Sequence, residues 1–138
     1  MISLIIGKKG SGKTKKLIDN VNAAAETTKG NVVCVEKGNT LTFNVKSAAR
    51  LVDSDVYGIT GYDAYYGFLS GICAGNYDVT DILVDSTFKI CPEGVAGIED
   101  FVKKLHELSE TAETNIVLLI SADDSELPAT INAVCEKI

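Results

Sequence analysis

No apolar run in this 138-residue chain approaches the length of about eighteen residues that a membrane-spanning helix needs. The start of the chain shows neither the basic opening nor the cleavage site of a secretory signal peptide, so a cytoplasmic location is expected. Cysteine is sparse and dispersed: Cys34, Cys73, Cys91 and Cys135 form no C-x-x-C pair. That excludes the usual metal-ligand and redox spacings and leaves reduced thiols in a core as the expected state. His106 is the single histidine, which gives little support to a histidine metal site or a Ser-His-Asp triad. Arginine is equally scarce, for Arg50 stands alone against twelve lysines. A lid that clamps a transferring phosphoryl group normally uses several arginines, whose planar forks match phosphate oxygens. One arginine cannot build such a lid, and Arg50 is expected to pair with Asp53 or Asp55, a cis finger being the alternative.

What remains is an ordinary globular composition, 46% hydrophobic and 23% charged, long enough for one domain over residues 1–138 and too short for two. The net charge of −6 is uneven. Residues 1–16 carry Lys8, Lys9, Lys13, Lys15 and Lys16 and no acid, which leaves −11 on the remainder. A polyanion would be repelled by most of the surface, so nucleic acid is not expected as the main partner.

The basic cluster has a local explanation. Gly7-Lys8-Lys9-Gly10-Ser11-Gly12-Lys13-Thr14 matches the phosphate-binding pattern G-x-x-x-x-G-K-[ST] in full, directly behind the apolar run Ile2–Ile6. In such a loop the backbone N–H groups turn inward around an anion at the start of a helix, where the dipole also favours negative charge. Glycine permits the positive φ angles and the close approach. Lys13 is expected to reach the β- and γ-phosphates, and the Thr14 hydroxyl to ligate Mg²⁺. With this motif between a strand and a helix, the chain resembles the P-loop NTPase superfamily. More loosely, it is similar to small bacterial ATP-binding proteins that consist of little beyond that core. The resemblance implies a nucleoside triphosphate and Mg²⁺, but no particular reaction or substrate. No N-K-x-D base-selecting motif is present, which leans the nucleotide towards ATP without excluding GTP.

Patterning supports the same fold class. Leu17, Ile18, Val21, Ala24 and Ala25 recur at helical spacing, with Gly30-Asn31 as the stop. Residues 61–75 and the run Ile98, Phe101, Val102, Leu105 and Leu108 read as further helices. Strands are expected at 32–36, 82–85 and 116–120, and a shorter one at 49–53. Leu41, Phe43 and Val45 alternate with polar residues, which predicts an antiparallel hairpin over residues 32–45. Leu127, Ile131, Val134, Cys135 and Ile138 predict a closing helix, with Pro128 in its first turn. Alternating strands and helices, with continuously apolar strands, predict an α/β fold: a mainly parallel sheet covered on both faces.

The second expected element is an acid at the carboxyl end of a strand, near enough to Thr14 to share the metal. Asp85 is the candidate, Asp53 the runner-up, and a structural cap the plain alternative. Many members of the superfamily carry glutamate directly after this acid. Here that place is Ser86, which predicts slow hydrolysis. Glu93 is the candidate to position the attacking water, with a solvated loop acid as the alternative. Ser121 would sense the γ-phosphate if its strand lies beside the loop strand, and is otherwise a strand terminator. Tyr57, Tyr62, Tyr65, Tyr66 and Tyr77 cluster within twenty-one residues, so residues 57–77 form a candidate surface for a protein partner or self-association. Gly67, Gly71 and Gly75 are expected to permit close helix packing. Three functions fit: a slow or partner-stimulated nucleoside triphosphatase, a phosphotransferase whose acceptor enters near Arg50 and residues 57–66, or a non-enzymatic nucleotide-dependent interaction module.

Overall fold

The valine-rich stretch Val32–Val35 is apolar without interruption because its strand has a neighbour on either side and a helical layer on either face. In the computed structural model, which describes residues 2–41 and 44–138, six strands form one sheet in the order β3-β2-β4-β5-β1-β6. They are β1 (Ile2–Gly7), β2 (Asn31–Glu36), β3 (Ala49–Asp53), β4 (Val79–Val84), β5 (Asn115–Ser121) and β6 (Cys135–Lys137). Every strand pairing is parallel. An isolated antiparallel bridge joins Gly7 to Ala122.

Helices α1 (Lys13–Thr27), α2 (Tyr62–Gly75), α3 (Thr87–Ile90) and α4 (Ile98–Ala112) connect the strands. The period-2 alternation of the strands sends their side chains to two cores. Leu17 and Val21 of α1 bury against Ile5, Val32, Cys34, Leu83 and Leu119 on one face. On the other, α2 and α4 bury Tyr65, Leu69, Phe101, Val102 and Leu105 against Leu4, Val33, Val35, Ile82 and Leu118. The expected α/β architecture is the observed one.

Two local expectations give way. β2 is parallel to both neighbours, and Leu41, Asn44 and Val45 lie in turns, so the described residues form no antiparallel hairpin over 32–45. Thr42 and Phe43, part of that expectation, lie outside the described residues. The closing helix is replaced by 3₁₀ turns at Asp124–Glu126 and Ala129–Ala133, then by β6. β6 pairs with the outer edge of β1, and Ile138 N–H donates to Leu4 O at 2.9 Å. Backbone pairing on an otherwise open edge outweighs the helical spacing of the apolar residues. Leu127, Ile131 and Cys135 are buried all the same.

Candidate functional site

β1 ends at Gly7, and the chain leaves the sheet through a loop that only glycine allows at two points. Gly10 and Gly12 adopt φ of +86° and +87°, values that strain any residue with a Cβ. Ser11 N–H closes the turn onto Lys8 O at 3.1 Å. Helix α1 begins at Lys13 with no side-chain cap and no acid in its first turn. Its first amides are therefore left for an external anion, at the end where the dipole is positive. Lys13 is 8% exposed, and its Nζ donates to Lys8 O at 2.9 Å. The ammonium is thus held across the loop.

The strand order carries the rest of the site. β5 lies directly beside β1, with Ser121 opposite Gly7, and β4 follows on the other side of β5. Asp85, one residue past β4, is anchored by its N–H on Val35 O at 2.8 Å. At these carboxyl ends a cavity of about 660 Å³ gathers Lys13 and Thr14 from the loop, Asp85 and Ser86 from the end of β4, and Ser121 from β5. Open parallel sheets bind ligands at this end of their strands. The Asp85 side chain is 8% exposed and has no hydrogen bond or ion pair among the described residues. Below it, burial pushes the Cys34 thiol up to about 12, with the charges of Glu36 and Asp85 adding to the effect. A hydroxyl and an unpaired carboxylate are hard oxygen donors of the kind Mg²⁺ takes.

Other expected residues lie elsewhere. Asp53 Oδ1 accepts from the N–H groups of Gly38 and Asp55, both at 2.9 Å, and so organises a turn. Glu93 accepts from Tyr62 N–H at 3.2 Å at the start of α2 and lines a different cavity with Asp63, Asp100 and Glu107. The structure does not bring it to Lys13. Arg50 forms no ion pair with Asp53 or Asp55. Asp55 pairs with Lys37 at 2.6 Å, while Arg50 borders a separate apolar cavity with Tyr57 and Phe68. The tyrosines divide as well. Tyr62 and Tyr65 pack on Phe101, with ring centroids 4.7 and 5.9 Å away, whereas Tyr77 is fully exposed. A Cβ on Gly67, Gly71 or Gly75 would meet nothing within 4 Å, so close packing does not account for these glycines.

Four contributors carry no motif in the sequence. Lys37, Thr40 and Lys89 line the cavity beside the Gly7–Thr14 loop. Glu36, 2% exposed, holds the segment that presents two of them, accepting from Thr40 N–H at 2.9 Å, Thr40 Oγ1 at 3.1 Å and Leu41 N–H at 3.2 Å. The available signal was a strand-terminal acid ahead of Lys37-Gly38-Asn39-Thr40.

No family model and no curated protein matches this chain. Among solved structures it is similar to the flagellar accessory protein FlaH from Methanocaldococcus jannaschii, with a TM-score of 0.64 at 14% identity. The match covers 96% of this chain and spans 65% of that one. At that identity the likeness shows the fold alone, an all-parallel six-stranded α/β sheet covered by helices.

Proposed function

We propose that this chain binds a Mg²⁺–nucleoside triphosphate, preferentially ATP, and hydrolyses it slowly unless a partner assists. The observation that carries this reading is one cavity holding Lys13, Thr14, Asp85 and Ser121, residues far apart in sequence. The loop amides and Lys13 hold the phosphates, Lys13 exchanging its bond to Lys8 O for phosphate oxygens. Ser121, beside Gly7, hydrogen-bonds the terminal phosphate. Thr14 and Asp85 hold the metal, which when bound neutralises charge on the phosphate oxygens. Slow turnover follows from what surrounds the cavity. Ser86 occupies the position after Asp85, and Glu93 is engaged at α2. The isolated chain is expected to turn over less than about once per minute, as slow P-loop hydrolysis without an assisting cation does. The phosphotransferase alternative gains no support from Arg50, which opens onto a cavity that shares no residue with this one.

Calorimetric titration with Mg-ATP should show one site per chain. Lys13→Ala should weaken binding far more than Lys9→Ala, though each removes one positive charge. Asp85→Asn should blunt the Mg²⁺ dependence and leave the fold intact. Equal losses for the two lysine variants that vanish at high salt would identify a diffuse basic patch instead.

A further inference from the structure

We propose that Lys89 is a phosphate-binding residue of the site, placed to recognise the terminal phosphate and so to separate a nucleoside triphosphate from a diphosphate. The inference rests on the proposed triphosphate site and names a specificity residue within it.

The argument begins with α3, a single turn held rigidly on the core. Thr87 and Ile90 are 0% and 1% exposed. The N–H groups of Lys89 and Ile90 both donate to Ser86 O, at 2.9 and 3.1 Å, and Cys91 N–H donates to Thr87 O at 2.8 Å. Ile90 O in turn accepts from Gly61 N–H at 2.9 Å. With Thr87 and Ile90 turned into the core, Phe88 and Lys89 fall on the cavity wall. Ser86 makes this direction possible. It sits in the left-handed region, with φ 56° and ψ 39°, a conformation that costs a residue with a Cβ about 1 kcal/mol or more. The turn redirects the chain straight after Asp85, so that an acid and a base four residues apart, Asp85 and Lys89, border one space.

Charge accounting singles Lys89 out from the other cavity lysines. Lys13 is bound to Lys8 O, Lys15 is paired with Asp19 at 3.1 Å, and Lys37 with Asp55 at 2.6 Å. Lys9 belongs to the loop itself. Lys89 has no acidic partner among the described residues, and it reaches the cavity from the Asp85 side, after β4, which β5 separates from the loop strand β1. The loop amides and Lys13 serve the phosphates next to α1. The farthest phosphate, which carries the most charge, is the one that a cation from the β4 side would meet. An ammonium does this as a point charge and needs no planar fork, which suits a chain with one arginine placed elsewhere.

The test uses the full chain at physiological salt. Affinities for Mg-ADP and for the β,γ-imido analogue of ATP are measured for the unchanged protein, Lys89→Ala, Lys89→Gln and Lys89→Arg. Losing a hydrogen bond to a charged group should weaken the triphosphate analogue about ten- to a hundredfold in the alanine and glutamine variants. Their ADP affinity should stay within about twofold, and arginine should restore discrimination. Equal losses for both nucleotides, or no loss for either, would overturn the proposal while the triphosphate site itself stands. Absence of any nucleotide binding by the unchanged protein would remove both. Exposure of Lys89 makes misfolding an unexpected outcome, and circular dichroism of each variant checks it.

Discussion

At Gly7 the backbone leaves the sheet close against the side chains of Ser11 and Lys13. A Cβ there would stand 2.3 Å from Ser11 Oγ and 3.2 Å from Lys13 Cγ. Gly7→Ala should therefore displace the loop and Lys13 together, lowering triphosphate affinity about tenfold, the cost of one lost charged hydrogen bond. The melting temperature should change little, because the contact lies in the loop and not in the core. Adding Ser11→Ala removes the nearest atom and should recover part of the affinity. A titration of the single and double variants checks this, and equal affinities in both would place the strain elsewhere. The backbone geometry of the loop was legible because the sequence puts glycines, Gly10 and Gly12, where φ is positive. Arg50 and Glu93 were not, since nothing local says which cavity a side chain will border.

The element that most depends on one side chain is the segment after β2. Glu36 is buried, and its carboxylate satisfies two backbone N–H groups and a hydroxyl. Glu36→Ala leaves those donors without a partner, a cost of about 1–3 kcal/mol for a buried group. Urea denaturation should show that loss, and amide exchange at Thr40 and Leu41 should accelerate beyond the rest of the chain. Glu36→Gln keeps the acceptor oxygen and should retain most of the stability. Because Lys37 and Thr40 border the cavity proposed to hold the nucleotide, the alanine variant should also bind it more weakly. The expected hairpin in this region went wrong for a related reason. Alternating apolar residues at 41 and 45 are equally well buried from turns packed on α1, as Leu41 and Val45 are. Periodicity reports which side chains seek the core, and not whether the backbone between them pairs.

At the scale of the whole molecule, the cysteines link packing to pH. All four are free and buried. Burial pushes Cys34 and Cys91 up to about 12 and Cys135 up to about 11, from an ordinary value of 9.0. Each raised thiol favours folding fully below pH 9, where both states keep the proton. That contribution is lost as pH rises from 9 towards 12, because the unfolded chain releases its protons first. The urea midpoint should therefore fall between pH 8 and pH 10.5, and Cys34→Ala with Cys91→Ala should flatten the decline after allowance for their lower starting stability. Thiol reagents at pH 8 should react slowly with the native chain and fully in urea. An unchanged midpoint across that range would show that the thiols are not protected by burial.

The sequence by itself determined the glycine-bearing loop after β1, the four-turn helix behind it, the apolar strands and the α/β class. Each of these rests on residues close in the chain: glycines at positive φ, helical spacing on α1 and α4, unbroken apolar runs on β2 and β5. The tertiary structure alone decided which ends meet. Sheet order places β5 between β1 and β4, and only that order puts Ser121 and Asp85 beside the loop. It also turned the chain's last residues into β6, because the outer edge of β1 offered backbone partners that local spacing does not encode. Lys89 and Glu36 gained their places in the same way. Their positions follow from a left-handed Ser86 and from a loop folded back on a strand end, and both are settled by long-range packing.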